Sequence, residues 1–186
     1  MEGQYLQKVL AGDSNAFRYF VQKYQDMAFS ISMSVTRSEL VSEEAVQDAF
    51  VKAFQNIRKF KGKSKFSTWF YRIVVNESLR KVQRKKLATT NVDNFNANED
   101  PQGVDDSFKM LHELEQKEIV LDTLEKLPET ESLILRLYYL DENKIDEVSE
   151  ISGLTQANVK VILHRARLRF YKYLQASYKH EMNSLL

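Results

Sequence analysis

The chain has 186 residues, 43% of them hydrophobic and 28% charged, with a formal net charge of +1 and no cysteine. That is enough apolar material for one medium domain or two small ones, and it excludes disulfides, thiolate metal sites and a cysteine nucleophile. No apolar run approaches the ~20 residues needed to cross a bilayer, and the N-terminus MEGQYLQKVLAGDSNAF lacks a signal peptide's apolar core, so a cytoplasmic protein without membrane insertion is expected.

The apolar period is helical almost throughout. Asp13 is placed to cap a helix whose apolar residues are Phe17, Phe20, Val21, Tyr24, Ala28, Ile31 and Val35, spaced mostly by three or four. Ser42 is the expected cap of a second helix, with Glu43 and Glu44 in its first turn and Val46, Phe50, Ala53, Phe54 and Ile57 on the buried face. The other face of that helix carries Glu43, Gln47, Asp48, Val51 and Lys52, a mixture of apolar and acidic groups that suits a protein contact or an ordinary solvated surface. Ser67 is the expected cap of a third helix running through Trp69, Phe70, Ile73, Val74 and Val82.

Charge is strongly segregated along these elements. Between Lys52 and Lys86 there are twelve Lys or Arg residues and a single acid, Glu77. Phe60, Phe66, Trp69, Phe70 and Tyr71 alternate there with Lys59, Lys61, Lys63, Lys65 and Arg72. Lysines can hold a phosphate backbone and aromatic rings can stack on unstacked bases, so the segment suits single-stranded or locally opened DNA, although Trp69 and Phe70 are better placed as core. The stretch TTNVDNFNANEDPQG is rich in Asn and Asp, carries Pro101 and Gly103, and reads as a flexible linker. Glu99 and Asp100 within it, with Asp105 and Asp106 just after it, could face the basic stripe and keep the free chain compact.

Helices are predicted after the linker near 106–126, 129–140, 145–151 and 155–175. Pro128 sits in a first-turn position, followed by Glu129 and Glu131. IDEVSEISGLTQANVKVILHRARLRF, Ile145 to Phe170, reads as two helices around a tight turn in which Gly153 takes a positive φ. This is the layout of a helix-turn-helix, whose second helix enters the major groove of DNA. Thr155 would cap that helix, and Val159, Leu163, Ala166 and Phe170 would form its buried stripe. Gln156, Lys160, Val161, His164, Arg165 and Arg167 are left near the outer face, where Arg and Lys meet phosphates or guanine, Gln reads adenine and Val161 can touch a thymine methyl. The preceding helix carries Asp146, Glu147 and Glu150 and is not expected to lie on DNA.

The fold expected is all-α, two helical modules joined by a linker: 1–87, linker 88–105, 106–176 and a tail 177–186. No catalytic constellation is present. His112, His164 and His180 lack metal-ligand spacing, and there is no phosphate-cradling glycine loop, so neither an enzyme nor a cofactor or metal is expected. A stand-alone helix-turn-helix regulator would account for residues 145–170 and leave the aromatic–basic module unexplained.

VSEEAVQDAFVKAFQNIRKFKGKSKFSTWFYRIVVNESLRKVQRKK resembles the second conserved region of bacterial RNA polymerase sigma factors of the extracytoplasmic-function (ECF) group, in the sigma-70 family. LPETESLILRLYYLDENKIDEVSEISGLTQANVKVILHRARLRF resembles their fourth region, and the third region of larger sigma factors is missing, as in this group. The resemblance implies transcription initiation. Core RNA polymerase would be met through the β′ clamp helices and the β flap, promoter DNA through both modules, and an anti-sigma factor is a further implied partner. It implies that Glu44, Gln47, Asp48 and Val51 dock on polymerase. Lys61, Lys63, Lys65 and Phe66 would catch a base of the minus-ten element, with Arg72, Asn76 and Arg80 reading or holding that element. Gln156, Lys160, Val161, His164, Arg165 and Arg167 would face the minus-thirty-five element. Asn158, Val161 and Ile162 stand where relatives often have Thr, Ser and Arg, which implies a looser sequence preference there.

Overall fold

The computed structural model describes residues 1–88 and 117–184, with side chains described for 1–85 and 119–176. The expected linker with its acids, the start of the helix expected at 106 and the side chains of the tail lie outside these residues. Among the described residues there are helices and no strands. They are α1 (Glu2–Leu10), α2 (Arg18–Thr36), α3 (Glu39–Asn56), α4 (Phe66–Ala88), α5 (Lys117–Lys126), α6 (Glu129–Leu135), α7 (Ile145–Ser152) and α8 (Gln156–Ser184). Short 3-10 turns at Ser14–Phe17 and Ile57–Lys59 and a π turn at Arg136–Leu140 connect them.

Helices α2, α3 and α4 pack on one another as a three-helix bundle. Its centre is aromatic. Phe20, Phe66 and Phe70 are buried together, with ring centroids 4.3 Å apart for Phe20 and Phe66 and 4.5 Å for Phe50 and Phe70. Helix α1 was not anticipated. It packs back on the turns at its own end and after α3, and its Tyr5 stacks on Tyr19 of α2 at 4.2 Å.

Two helix starts differ from the sequence reading. Helix α3 begins at Glu39 with Ser38 as its N-cap, one turn before Ser42. Ser42 is fully buried inside the helix, and its hydroxyl bonds that of Thr36. Helix α4 begins at Phe66, so Ser67 lies within its first turn. In both cases a serine before an apolar run resembles a cap, but the helix starts earlier, at Ser38 as N-cap for α3 and at the buried Phe66 for α4. Asp13 does accept from the Asn15 N–H at 3.0 Å, where it caps the 3-10 turn that leads into α2.

Glu77, the lone acid of the basic stretch, is 4% exposed on α4. Its carboxylate pairs with the Lys52 ammonium of α3 and, at 2.5 Å, with Arg80. Removing one partner of a buried pair leaves the others uncompensated, although water reaches both cations and offsets part of the loss. Glu77→Gln is therefore expected to destabilise the chain by about 2 kcal/mol, read as a lower urea midpoint. A shift below about 0.5 kcal/mol, typical of a surface site, would show that the pair is solvated instead.

The second module folds around Ile134, Leu137, Val148, Ile151, Val159, Leu163 and Phe170. It rests against the first, α6 on α2 and α7 on α4. Arg136 is 3% exposed there and donates from Nη1 to Ser30 Oγ at 2.6 Å, while Arg37 Nη2 donates to the Leu127 carbonyl at 2.6 Å. Burial pulls both guanidinium pKa values below their ordinary range, against the favourable fields of Glu125 and Glu129.

Candidate nucleic-acid and protein interfaces

Helix α7 ends at Gly153, whose φ is 75° and whose N–H donates to the Ser149 carbonyl at 3.0 Å. The turn is braced by Ser149, whose hydroxyl donates to the Leu154 carbonyl at 2.6 Å. Thr155 accepts from the Asn158 N–H at 3.3 Å and so caps α8, as expected. Val159, Leu163, Ala166 and Phe170 are all buried, which turns Gln156, Lys160 and Val161 outward. Val161 is 57% exposed, high for a valine without a partner. His164, Arg165 and Arg167 sit half-buried on the flanks. The Arg167 guanidinium lies over the rings of Tyr138 and Tyr139, at 5.9 and 5.5 Å. Arg165 lies in the field of Glu131, which accepts both its hydrogen bonds from Arg169 at 2.9 Å.

No atom lies within 4 Å of where a Cβ would project at Gly153, so a substitution there costs backbone strain and no clash. A β-branched residue in the left-handed region costs about 1–2 kcal/mol, whereas Asn visits it more readily. Gly153→Val is expected to lower stability by that amount and to weaken DNA binding by α8. Gly153→Asn should recover most of both in paired thermal and DNA-binding measurements. Equal losses in the two variants would overturn the strain argument.

The basic module presents a second polar surface. Lys61 and Lys63 are exposed in the loop before α4, which turns at Gly62 with φ 67°. Arg72, Asn76 and Arg80 follow at four-residue spacing, one row along α4. Arg72 and Asn76 are exposed, and Arg80 bends toward α3, where it meets Glu77 and, at 3.8 Å, Asp48. Phe66 corrects the sequence reading. It is 3% exposed, packed against Phe20, Tyr24, Phe60, Trp69 and Phe70, and forms the floor under the loop rather than a surface for a base. Tyr71 is likewise buried and donates to Asp141 of the second module at 3.5 Å. Burial raises the pKa of both groups.

The third surface is the outer face of α3. Glu44, Gln47, Asp48 and Val51 share it at helical spacing. Asp48 and Glu44 are joined to Lys81 of α4 at 2.9 and 3.2 Å, so their charge is partly used within the fold. Val51 is 54% exposed. Phe54, expected in the core, is 41% exposed, with one edge against Phe17 at 5.2 Å. Its position one residue beyond Ala53 left its side ambiguous, because a wide apolar stripe includes adjacent residues. An apolar cleft of 320 Å³ separates the modules, lined by Val35, Val75, Leu79, Val82, Leu133 and Leu154.

An all-helical chain with a helix-turn-helix in one module and a basic row in the other is a nucleic-acid-binding protein by its architecture. Residues 20–87 match sigma-70 region 2 and residues 111–170 match sigma-70 region 4. The chain is 30% identical over 169 residues to the ECF RNA polymerase sigma-E factor of Escherichia coli K12, covering 87% of this chain and 88% of that protein. It is 28% identical to the ECF RNA polymerase sigma factor SigW of Bacillus subtilis, covering 91% and 95% of the two chains. The sigma-E factor of Haemophilus influenzae is 28% identical, with 87% and 89% covered. Two solved structures share the fold. CnrH in complex with the cytosolic domain of CnrY has a TM-score of 0.63 and 20% identity, covering 92% of this chain and 96% of that one. The sigma factor RpoE of Bartonella quintana in complex with the anti-sigma factor NepR has a TM-score of 0.62 and 18% identity, covering 86% and 96%. The chain belongs to the ECF sigma factors of the sigma-70 family.

Proposed function

We propose that the chain binds core RNA polymerase and directs promoter recognition, DNA melting and transcription initiation in the cytoplasm, without bond chemistry of its own. The observation that carries this is the pairing of the two sigma-70 regions, in order, with an outward-facing recognition helix and a basic row on separate modules. The division is 1–87 for polymerase binding and the minus-ten element, 88–105 for the linker, 106–176 for the minus-thirty-five element and 177–186 for the tail.

Gln47, Val51 and the rim acids Glu44 and Asp48 dock on the β′ clamp helices, and the C-terminal module meets the β flap. Gln156, Lys160 and Val161 read duplex DNA in the major groove, flanked by His164, Arg165 and Arg167. Lys61, Lys63 and Lys65 hold the backbone of the opened strand beside a flipped base, and Arg72, Asn76 and Arg80 continue that row. Extruding a base costs a few kcal/mol, and pocket contacts restore it only for a matching base, so melting and recognition are one step. Each module binds weakly alone and well when polymerase presents both. An anti-sigma partner is implied by the family, and the apolar cleft between the modules is the surface that such a partner would take.

A stand-alone helix-turn-helix regulator is the second reading. It leaves the region 2 match and the exposed α3 face without a role. The deciding experiment is co-elution of the purified chain with bacterial core RNA polymerase, followed by run-off transcription from a promoter library. Stoichiometric co-elution and new transcripts are expected. Absence of both, with tight sequence-specific duplex binding by the free chain, would favour the regulator.

A further inference from the structure

Arginines stand on both flanks of α8, and the two flanks hold them differently. On one flank Arg169 donates from Nη1 to both oxygens of Glu131 at 2.9 Å, and Arg165 lies in the field of the same carboxylate. Glu131 is 7% exposed, so the charge of that flank is largely cancelled inside the module. Arg167 lies two residues from each of these, on the opposite flank. Its guanidinium sits over the rings of Tyr138 and Tyr139, and the Tyr139 hydroxyl accepts a hydrogen bond from it. Burial holds the Tyr139 pKa above its ordinary value, so the phenol beside the cation is neutral.

Two adjacent tyrosines reach one guanidinium because the chain between α6 and α7 departs from α-helical geometry. Arg136–Leu140 forms a π turn, in which the Asp141 N–H donates five residues back to the Arg136 carbonyl at 3.2 Å. Consecutive side chains of an α-helix diverge by about 100° around its axis and face different neighbours. The extra residue of a π turn relaxes that rule, and such turns recur at functional sites. Here the two rings meet edge to face, with centroids 4.9 Å apart and planes at 80°, and form a notch under Arg167. Asn143, 3% exposed, fixes the exit of the turn. Its backbone N–H and its side-chain amide both donate to the Leu137 carbonyl, at 3.1 and 3.0 Å.

An aromatic ring attracts a cation through its quadrupole and has no charge with which to cancel it. A carboxylate holds an arginine as firmly but neutralises it. A guanidinium seated on rings is therefore fixed in direction, keeps its charge, and retains N–H donors for a further acceptor. Arg167 follows Lys160 by seven residues and so shares its face, two turns further along α8. A cation there meets the backbone that flanks the bases read by the start of the helix. We propose that Tyr138 and Tyr139 are positioning residues for duplex binding, an aromatic notch built by the π turn that aims the Arg167 guanidinium at a phosphate and leaves its charge intact. The inference rests on the reading that α8 faces duplex DNA. It adds two residues that act on DNA only through Arg167.

The test is binding of the full chain to a short fluorescein-labelled duplex of mixed sequence, followed by anisotropy across a salt series. Tyr138→Leu with Tyr139→Leu should weaken binding about ten-fold and lower the slope of log affinity against log salt by about one, the mark of one lost phosphate contact. Tyr138→Phe with Tyr139→Phe keeps both rings and should stay within about two-fold of wild type. Arg167→Ala should show the same loss and the same change of slope, and adding the leucine pair to it should change neither. Tyrosines that served the fold alone would lower affinity in the Arg167→Ala background as well, and would leave the salt slope unmoved. Either of those results would overturn the proposal. So would a loss in the phenylalanine pair as large as in the leucine pair, or no duplex binding by the wild-type chain at low salt. If the leucine pair does not fold, Tyr139→Leu alone carries the same comparisons. The duplex is read without polymerase and without a promoter, so failure here is distinct from failure to co-elute with core enzyme.

Discussion

Phe70→Ala is expected to lower the stability of the chain by about 4 kcal/mol, the range found when a fully buried phenylalanine is truncated. Phe70 is completely buried on α4. Its ring meets Phe50 of α3 at 4.5 Å, Phe66 at 6.0 Å and Tyr24 of α2 at 6.2 Å, so it touches all three helices of the bundle. Alanine would remove apolar area and aromatic pairing together, and rigid neighbouring rings cannot collapse into the space. Domains of this size are stable by only about 5–15 kcal/mol, so the loss is a large fraction of the whole. Trp69, the single tryptophan, packs at a tilt against Phe60 and Phe66, with centroids 5.3 and 5.6 Å away, and reports unfolding of this module by fluorescence. A urea titration showing a loss under about 1.5 kcal/mol, the scale of a site that repacks, would contradict the central place assigned to this ring.

Val51→Arg should have the largest functional effect, a loss of core polymerase binding of at least about a hundred-fold, or roughly 3 kcal/mol, with folding stability unchanged within about 0.5 kcal/mol. Val51 is more than half exposed and continues the face that Gln47 and Asp48 begin. An apolar residue left in water within a monomer gains most when a partner covers it. Arginine there would be solvated in the free chain and buried without a partner in the complex. Asp48→Arg tests the same face less cleanly. It also breaks the 2.9 Å pair with Lys81 and sets a third cation beside Lys81 and Arg80. Normal co-elution of a folded Val51→Arg variant would remove α3 from the polymerase interface.

Periodicity and turn chemistry made most of the helices legible, because both act within a few residues. The stripe Val159, Leu163, Ala166 and Phe170 is buried as its spacing requires, Gly153 has the positive φ its turn requires, and Thr155 caps α8. Helix α1 was missed because its apolar residues, Tyr5, Leu6, Val9 and Leu10, are few and mostly half-buried, and only packing against later turns gives them a face. Phe66 and Phe54 exchanged their expected surroundings for a similar reason. Whether an aromatic residue at the edge of a stripe turns inward depends on the neighbouring helix, and nothing local states where that helix lies.

By itself the sequence determined an all-helical chain, a helix-turn-helix with an acid-free recognition helix, a basic aromatic module and the resemblance to the ECF sigma factors. Each of these rests on short-range spacing, composition or motif order, which survive without coordinates. The tertiary structure alone decided which charges are spent inside the fold. Glu77 is the buried counter-ion of Lys52 and Arg80, Asp48 is paired with Lys81, and Glu147 sits on Lys65. These pairs join residues from different helices or modules, so their partners are set by how the helices pack and cannot be read from the order of residues along the chain.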